Sequence, residues 1–271
     1  MRSILLRTGV IAALCVSVGY QAPPACAATA DAALRAAIAG PQRTPAAVQR
    51  DAARHPLQEL MFLGLRPNES VVEIWPAGGY WTEILAPVLR SHGSYTIALP
   101  PPKPGTDVKE MSVVRKLAAD PGVYDKVMTT EAGPGHFDIA PAGSADLVLT
   151  FRNLHNWMEG GYAPEMLAGF HRALKPGGIL GIEEHRGQRN NVQDPKAEDG
   201  YVRQEYAIAM IERAGFKLIG KSEINANPKD TANWPSGVWT LPPTLALGEK
   251  DKAKYMAIGE GDNFVMKFRK T

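Results

Sequence analysis

Beyond residue 27 this 271-residue chain has no cysteine; its two thiols, Cys15 and Cys26, both precede that point. Disulfides, cysteine nucleophiles and thiolate metal sites are excluded for everything after it. A membrane-length apolar run is lacking too. The stretch "GVIAALCVSVGY", residues 9–20, is about a dozen residues, against the roughly 20 a helix needs to cross a bilayer. Nor is there an excess of one charge: without Arg2 and Arg7, basic and acidic residues balance at 28 each. That removes the electrostatic footprint of a general nucleic-acid binder. A Gly-x-Ser-x-Gly elbow, a His-Glu-x-x-His helix and a phosphate loop are all missing, which argues against the commonest exported hydrolases. No repeat of fixed period and no low-complexity tract interrupts the chain.

What is present begins with a leader. Arg2 and Arg7, the apolar run and the small residues at Ala25-Cys26-Ala27 have the order of a secretory signal peptide over residues 1–27. The mature chain is therefore expected outside the cytoplasm, in a bacterial periplasm, with no stable membrane span once the leader is gone. The composition of the full chain, 45% hydrophobic and 21% charged, suits one domain with a full core.

Residues 28–69 read as a helical segment. "ADAALRAAIAG" stops at Gly40, and "TPAAVQRDAARHPLQELMFLGL" starts with Thr44 as N-cap and Pro45 at the first helical position. Pro56 marks a break or a second start; if the helix continued to His55, Asp51 and His55 would share a face. From residue 70 to 271, strand and helix alternate. Strands are expected at 71–74, 94–99, 126–130, 145–151, 179–184, from 216 and at 263–270, with helices after the first, second, fourth and fifth. That alternation predicts an α/β, Rossmann-like, doubly wound, seven-stranded sheet, mostly parallel. The last two strands lack a normal crossover helix, so an antiparallel last strand is expected at the sheet edge. Between them, residues 225–262 form a Pro-, Trp- and Asn-rich insertion with the character of a lid.

"VVEIWPAGGYWTEIL" (71–85) combines a strand, a tight turn of small residues and a helix start. In doubly wound sheets such a turn, at the carboxyl end of the first strand, is where backbone approaches a ligand. With "ADLVLTFRNLHNW", "ALKPGGILGIEEHR" and "IERAGFKLI" following in order, the chain resembles the class I S-adenosylmethionine-dependent methyltransferases over about residues 45–271. More narrowly, it resembles a group of exported bacterial predicted methyltransferases. The resemblance implies transfer of a methyl group from S-adenosylmethionine to a small organic acceptor. It implies that Glu73, Ala77, Gly78, Gly79, Arg152 and Asn153 hold the cofactor. Two departures stand out: Trp75 replaces the first glycine of the family's turn, and Leu99, followed by three prolines, stands where the family places the acid that binds the ribose.

The strand ends carry the groups suited to chemistry. His155, after the fourth strand, and His185, after the fifth, have the pKa range of general bases. Glu184 is the carboxylate placed to work with them, although Glu183 and Glu184 must point to opposite faces of their strand. Trp157, Trp234 and Trp239 are read as stacking walls for a small-molecule acceptor. No metal-ligand spacing is present, and no metal is expected. Two other readings remain open: an exported protein that binds a small molecule without S-adenosylmethionine, and a different enzyme using a His155/Glu183/His185 cluster.

Overall fold

The computed structural model describes residues 25–102 and 104–271; the leader read over 1–27 lies outside them, except that its last three positions begin a helix. No helix among the described residues is long and apolar enough to cross a membrane. Seven strands form one sheet: Ser70–Ile74 (β1), Ser94–Leu99 (β2), Val127–Glu131 (β3), Ala145–Phe151 (β4), Leu174–His185 (β5), Phe216–Ser222 (β6) and Asn263–Lys270 (β7). Their order is β3-β2-β1-β4-β5-β7-β6. All pairings from β3 through β5 are parallel. β7 runs antiparallel to both β5 and β6, so the edge belongs to β6 and the last strand lies one place in from it.

Both faces of the sheet are covered, and the strand residues sort by parity. Val72, Ile74, Val148 and Ile182 pack on one side with helices Ala163–Ala173 and Gln204–Arg213. Val71, Leu147, Leu149 and Val265 pack on the other with helices Ala25–Ile38, Pro56–Leu63 and Thr82–Leu89. Burial on both faces explains why these strands read as apolar runs instead of alternating ones.

The expected helix over 44–65 is split. Thr44 caps it as anticipated, its side chain accepting from Ala47 N. Ahead of Pro56, however, His55 turns left-handed (φ 41), since a residue before proline is pushed out of the right-handed helix. Asp51 and His55 therefore share no helical face: His55 Nδ1 lies 3.1 Å from Asn225 Oδ1. β5 begins at Leu174, earlier than its apolar stretch suggests, because Leu174 still pairs with Ala145; the next residues bulge from the ladder, with Gly177 left-handed (φ 75), and pairing resumes between Leu147 and Ile179. The insertion contains a short separate strand, Pro235–Val238, and a helix, Lys252–Ile258. Asp230 organises it, accepting from the Tyr201 hydroxyl, Trp234 Nε1, Ala232 N and Asp262 N.

Candidate functional site

Because β1, β4 and β5 are parallel, their carboxyl ends share one edge, and a cavity of about 470 Å³ opens there. The N-terminal segment around Thr44–Arg54 roofs it, and Trp239 with Pro242 and Pro243 of the insertion forms the far wall. Trp81 and Phe151, stacked at 4.2 Å between ring centroids, line the floor.

One wall is a histidine cluster. His155 lies on the one-turn helix Leu154–Glu159 and is 4% exposed. Its Nδ1 is 2.8 Å from Glu184 Oε1, and its backbone N–H donates to Glu184 Oε2 at 3.1 Å. Glu184, fully buried, also accepts from His185 N at 2.8 Å. Three donors thus occupy its carboxylate. Although the three side chains are within metal-binding reach of one another, Glu184 sits behind the imidazole as an orienting group. His185 Nδ1 is held by Asn263 Oδ1 at 2.7 Å, and the two imidazole centroids are 5.5 Å apart. Each ring therefore has Nε2 free at the cavity wall. Burial, helped by the nearby Arg152 and Arg50 guanidinium groups, holds the His185 pKa well below its ordinary value, so its ring is neutral near pH 7. Gly261 lines the rim beside it; a Cβ there would come within 2.8 Å of Val238 Cγ2 and 3.3 Å of His185 Nδ1, so bare backbone is needed.

The other wall is cationic. Arg50 grips both oxygens of Glu260 through its Nε/Nη2 edge (2.6 and 2.7 Å), Arg152 Nη1 donates to the same carboxylate at 2.9 Å, and Arg54 Nε stands 3.5 Å from it. Arg152 has a left-handed backbone (φ 61), fixed by its N–H donating to Glu183 O at 2.7 Å. Strained backbone of this kind collects at functional sites. Behind Arg152, Asn225 Nδ2 bridges Glu59 Oε2 (2.6 Å) and Glu183 Oε1 (3.0 Å). Burial pushes both carboxyls up, Glu59 well above its ordinary value, and their mutual repulsion adds to it for Glu59. Glu183 thus belongs to this buried pair and not to the histidines. As strand alternation requires, the grouping His155/Glu183/His185 is corrected to His155/Glu184/His185.

The turn after β1 keeps the backbone of a glycine turn with glycine at only one of its three left-handed positions. Trp75, Ala77 and Gly79 all have positive φ (51, 51 and 78), and a non-glycine residue there costs roughly 1–2 kcal/mol. The surroundings impose it: Trp75 N donates to Ala98 O (2.9 Å), Asn153 Nδ2 to Ile74 O (3.0 Å) and Gly79 N to Pro76 O (2.8 Å). Glu73 faces inward. It accepts from Thr82 Oγ1 at 3.0 Å and from the Tyr95 hydroxyl, and burial pushes its carboxyl up to about 7. It braces the turn against helix Thr82–Leu89.

The Trp75 indole decides what the turn can hold. Its Nε1 donates to Ala132 O, just past β3, at 2.8 Å. Since β2 lies between β1 and β3, the indole spans the end of β2. A Cβ on Gly133 would stand 2.6 Å from Pro101 Cδ and 3.9 Å from Trp75 Cζ2. Indole, proline and glycine close over the strand ends where the resemblance seats a nucleoside. Leu99 is 3% exposed, and among the described residues the cavity lining includes none from the ends of β2 or β3. In this conformation the residues present do not fit the nucleoside half of S-adenosylmethionine.

Of the residues singled out in the sequence, Glu73, Ala77, Gly78, Arg152, Asn153, His155, His185 and Trp239 line the cavity, with Glu184 directly behind. Gly79 does not line it; the Lys116 side chain crosses 3.2 Å from where its Cβ would be. Trp157 is corrected to a core residue: fully buried, it meets Trp75 and Phe170 edge-on. Trp234 is also away from the cavity, donating to Asp230 at 2.7 Å and packing on Tyr255. Arg50, Arg54, Lys116, Trp81 and Phe151 were not anticipated; the four-residue spacing of Arg50 and Arg54 is the one signal the sequence offered.

No protein-family model and no curated protein matches this chain. Solved structures share its fold. A S-adenosylmethionine-dependent methyltransferase from Aquifex aeolicus superposes with TM-score 0.54 at 15% identity, over 84% of this chain and 95% of that one. The [4+2]-cyclase SpnF gives 0.56 at 16% identity, over 82% of each. Phosphoethanolamine N-methyltransferase 2 of Haemonchus contortus, solved with S-adenosylmethionine, gives 0.53 at 15%, over 80% of this chain and 52% of that one.

Proposed function

We propose that this chain, which has the fold of the class I S-adenosylmethionine-dependent methyltransferases, is an enzyme that moves a proton on a small organic molecule held in the cavity. His155 is the base and Glu184 its orienting carboxylate. The observation that carries the reading is the buried 2.8 Å contact between His155 Nδ1 and Glu184 Oε1 at the cavity wall. With Nδ1–H donated to the carboxylate, Nε2 carries the lone pair that takes a proton, and Glu184 stabilises the imidazolium that forms. His185, neutral and held by Asn263, is a second acceptor beside it. Trp81, Phe151 and Trp239 supply apolar walls that exclude water. On the leader read over residues 1–27, this chemistry runs outside the cytoplasm. The test is mass-spectrometric screening of small-molecule mixtures with wild type and His155→Asn. Conversion by wild type should fall by about 10²–10⁴-fold in the variant, and an unchanged rate would remove His155 from the reaction.

A second reading, methyl transfer from S-adenosylmethionine, is favoured by the left-handed backbone at positions 75, 77 and 79 and by Glu73 beneath it. It requires the Trp75 indole to leave the end of β2. Calorimetry with S-adenosylhomocysteine separates the two. No heat is expected with wild type, and measurable binding is expected only with Trp75→Ala, which empties the seat. Micromolar binding to wild type would establish the second reading instead.

A further inference from the structure

Three guanidinium groups at the cavity, Arg50, Arg54 and Arg152, share one carboxylate, that of Glu260. Arg50 takes both of its oxygens, and Arg152 takes one of them again. Arg54 is left over. It is 2% exposed and lines the cavity, with its guanidinium 4.4 Å above the Tyr80 ring centroid. Its Nε and Nη2 are buried and make no hydrogen bond; Glu260 Oε2, 3.5 Å from Nε, gives an ion-pair contact without one. Nε and Nη2 are the edge by which Arg50 takes Glu260, the geometry that fits a planar carboxylate.

The charges around it do not balance without a further anion. Glu83 and Asp51 are answered by Arg43 and Lys116. Arg50, Arg54 and Arg152 face Glu260 and, at 3.7 Å from Arg152, Glu183. A buried guanidinium whose N–H groups lack a hydrogen-bond acceptor is costly, and this one lies on the wall of a cavity that also carries His155, His185 and the aromatic faces of Trp81, Phe151 and Trp239.

We propose that the cavity takes an organic carboxylate, its anionic group seated on Arg54 with Arg152 and its apolar body between the aromatic walls. This rests on the cavity being the working site and adds the class of molecule that enters it. The anion lies on the arginine side, which leaves the rest of the molecule toward His155 and His185. Two kinds of ligand share this chemistry, a simple carboxylic acid and the α-carboxylate of an amino acid.

The probes are benzoate, its neutral isostere benzamide, and L-methionine, each titrated calorimetrically into the full chain. Benzoate or L-methionine should bind at least tenfold more tightly than benzamide, and the stronger of the two tells which kind of carboxylate is meant. Arg54→Met should weaken that binding by tenfold or more. Equal binding of benzoate and benzamide, or no binding of either carboxylate, overturns the proposal on wild type alone, whatever the variant's stability. If the carboxylate binds and His155→Asn alters no conversion, the anion site stands and the assignment of His155 as base falls.

Discussion

Glu83→Ala is expected to lower the stability of the protein by about 3–5 kcal/mol, the cost of leaving a buried ion pair with one partner. For a chain of this size that is a fall in Tm of roughly 6–20 °C. Glu83 stands in the first turn of helix Thr82–Leu89 with no exposed side-chain surface. Oε2 accepts from Arg43 Nε (3.2 Å) and Thr44 N (3.1 Å); Oε1 accepts from Thr44 Oγ1 (3.0 Å) and the Lys116 ammonium. Arg43 is 1% exposed and its Nη1 already lacks an acceptor, so losing Glu83 leaves that cation to Asp51 alone. The effect reaches the site, because the segment Glu83 pins down carries Arg50 and Arg54. Glu83→Gln keeps acceptor capacity for Thr44 but not the charge, and its loss should be intermediate. Thermal unfolding followed by circular dichroism measures both; a change in Glu83→Ala within about 0.5 kcal/mol would mean the roof is held by packing instead.

How far the fold was legible follows from which forces were local. β1 and β4 are buried on both faces, so "VVEI" and "ADLVLTF" announce themselves as apolar runs and fall within a residue of their observed ends. The early start of β5 was hidden because Pro176-Gly177-Gly178 reads as a stop, while the strand is fixed by pairing with a neighbour distant in sequence. Helix Leu154–Glu159 was hidden for another reason: Asn153, which precedes it, makes no cap bond and spends its amide on Ile74 O and Thr150 Oγ1.

The site divides along the same line. His155, Glu184 and His185 were legible because strand ends in a parallel sheet converge, and period-two alternation separates Glu184 from Glu183. The arginine wall was not, because Arg50 and Glu260 are joined only by tertiary structure, across most of the chain. Trp157 shows the converse limit. Composition marks an aromatic as a wall but cannot say whether its helix turns it to the cavity or to the core, and here packing on Phe170 and Trp75 decides. Trp75 itself was visible as a departure from a glycine pattern. What it does there, spanning β2 to reach Ala132, depends on sheet order.

Glu73 should make the protein lose stability as pH rises from about 4.5 to about 7, and Glu73→Gln should remove that part of the slope. Burial pushes this carboxyl from its ordinary 4.5 up to about 7, against the opposing pull of the Tyr95 and Thr82 hydroxyls. The folded chain therefore holds a proton that the unfolded chain releases. Stability falls with pH wherever the folded state binds more protons. The contribution is complete below 4.5 and gone once pH passes 7, and its size is about 3 kcal/mol. Glu59 and Glu183, also raised by burial, tilt the wild-type profile the same way, so the difference between wild type and variant is what isolates Glu73. Urea unfolding at pH 5 and pH 8 reads most of it: Glu73→Gln should gain about 2–3 kcal/mol on wild type between the two, because an amide keeps an oxygen for Tyr95 and Thr82 without ever ionising. Parallel profiles would mean that Glu73 ionises freely beneath the turn. A carboxylate there would then be available to a cationic ligand, and the turn would have to be reconsidered as a binding element instead of a brace.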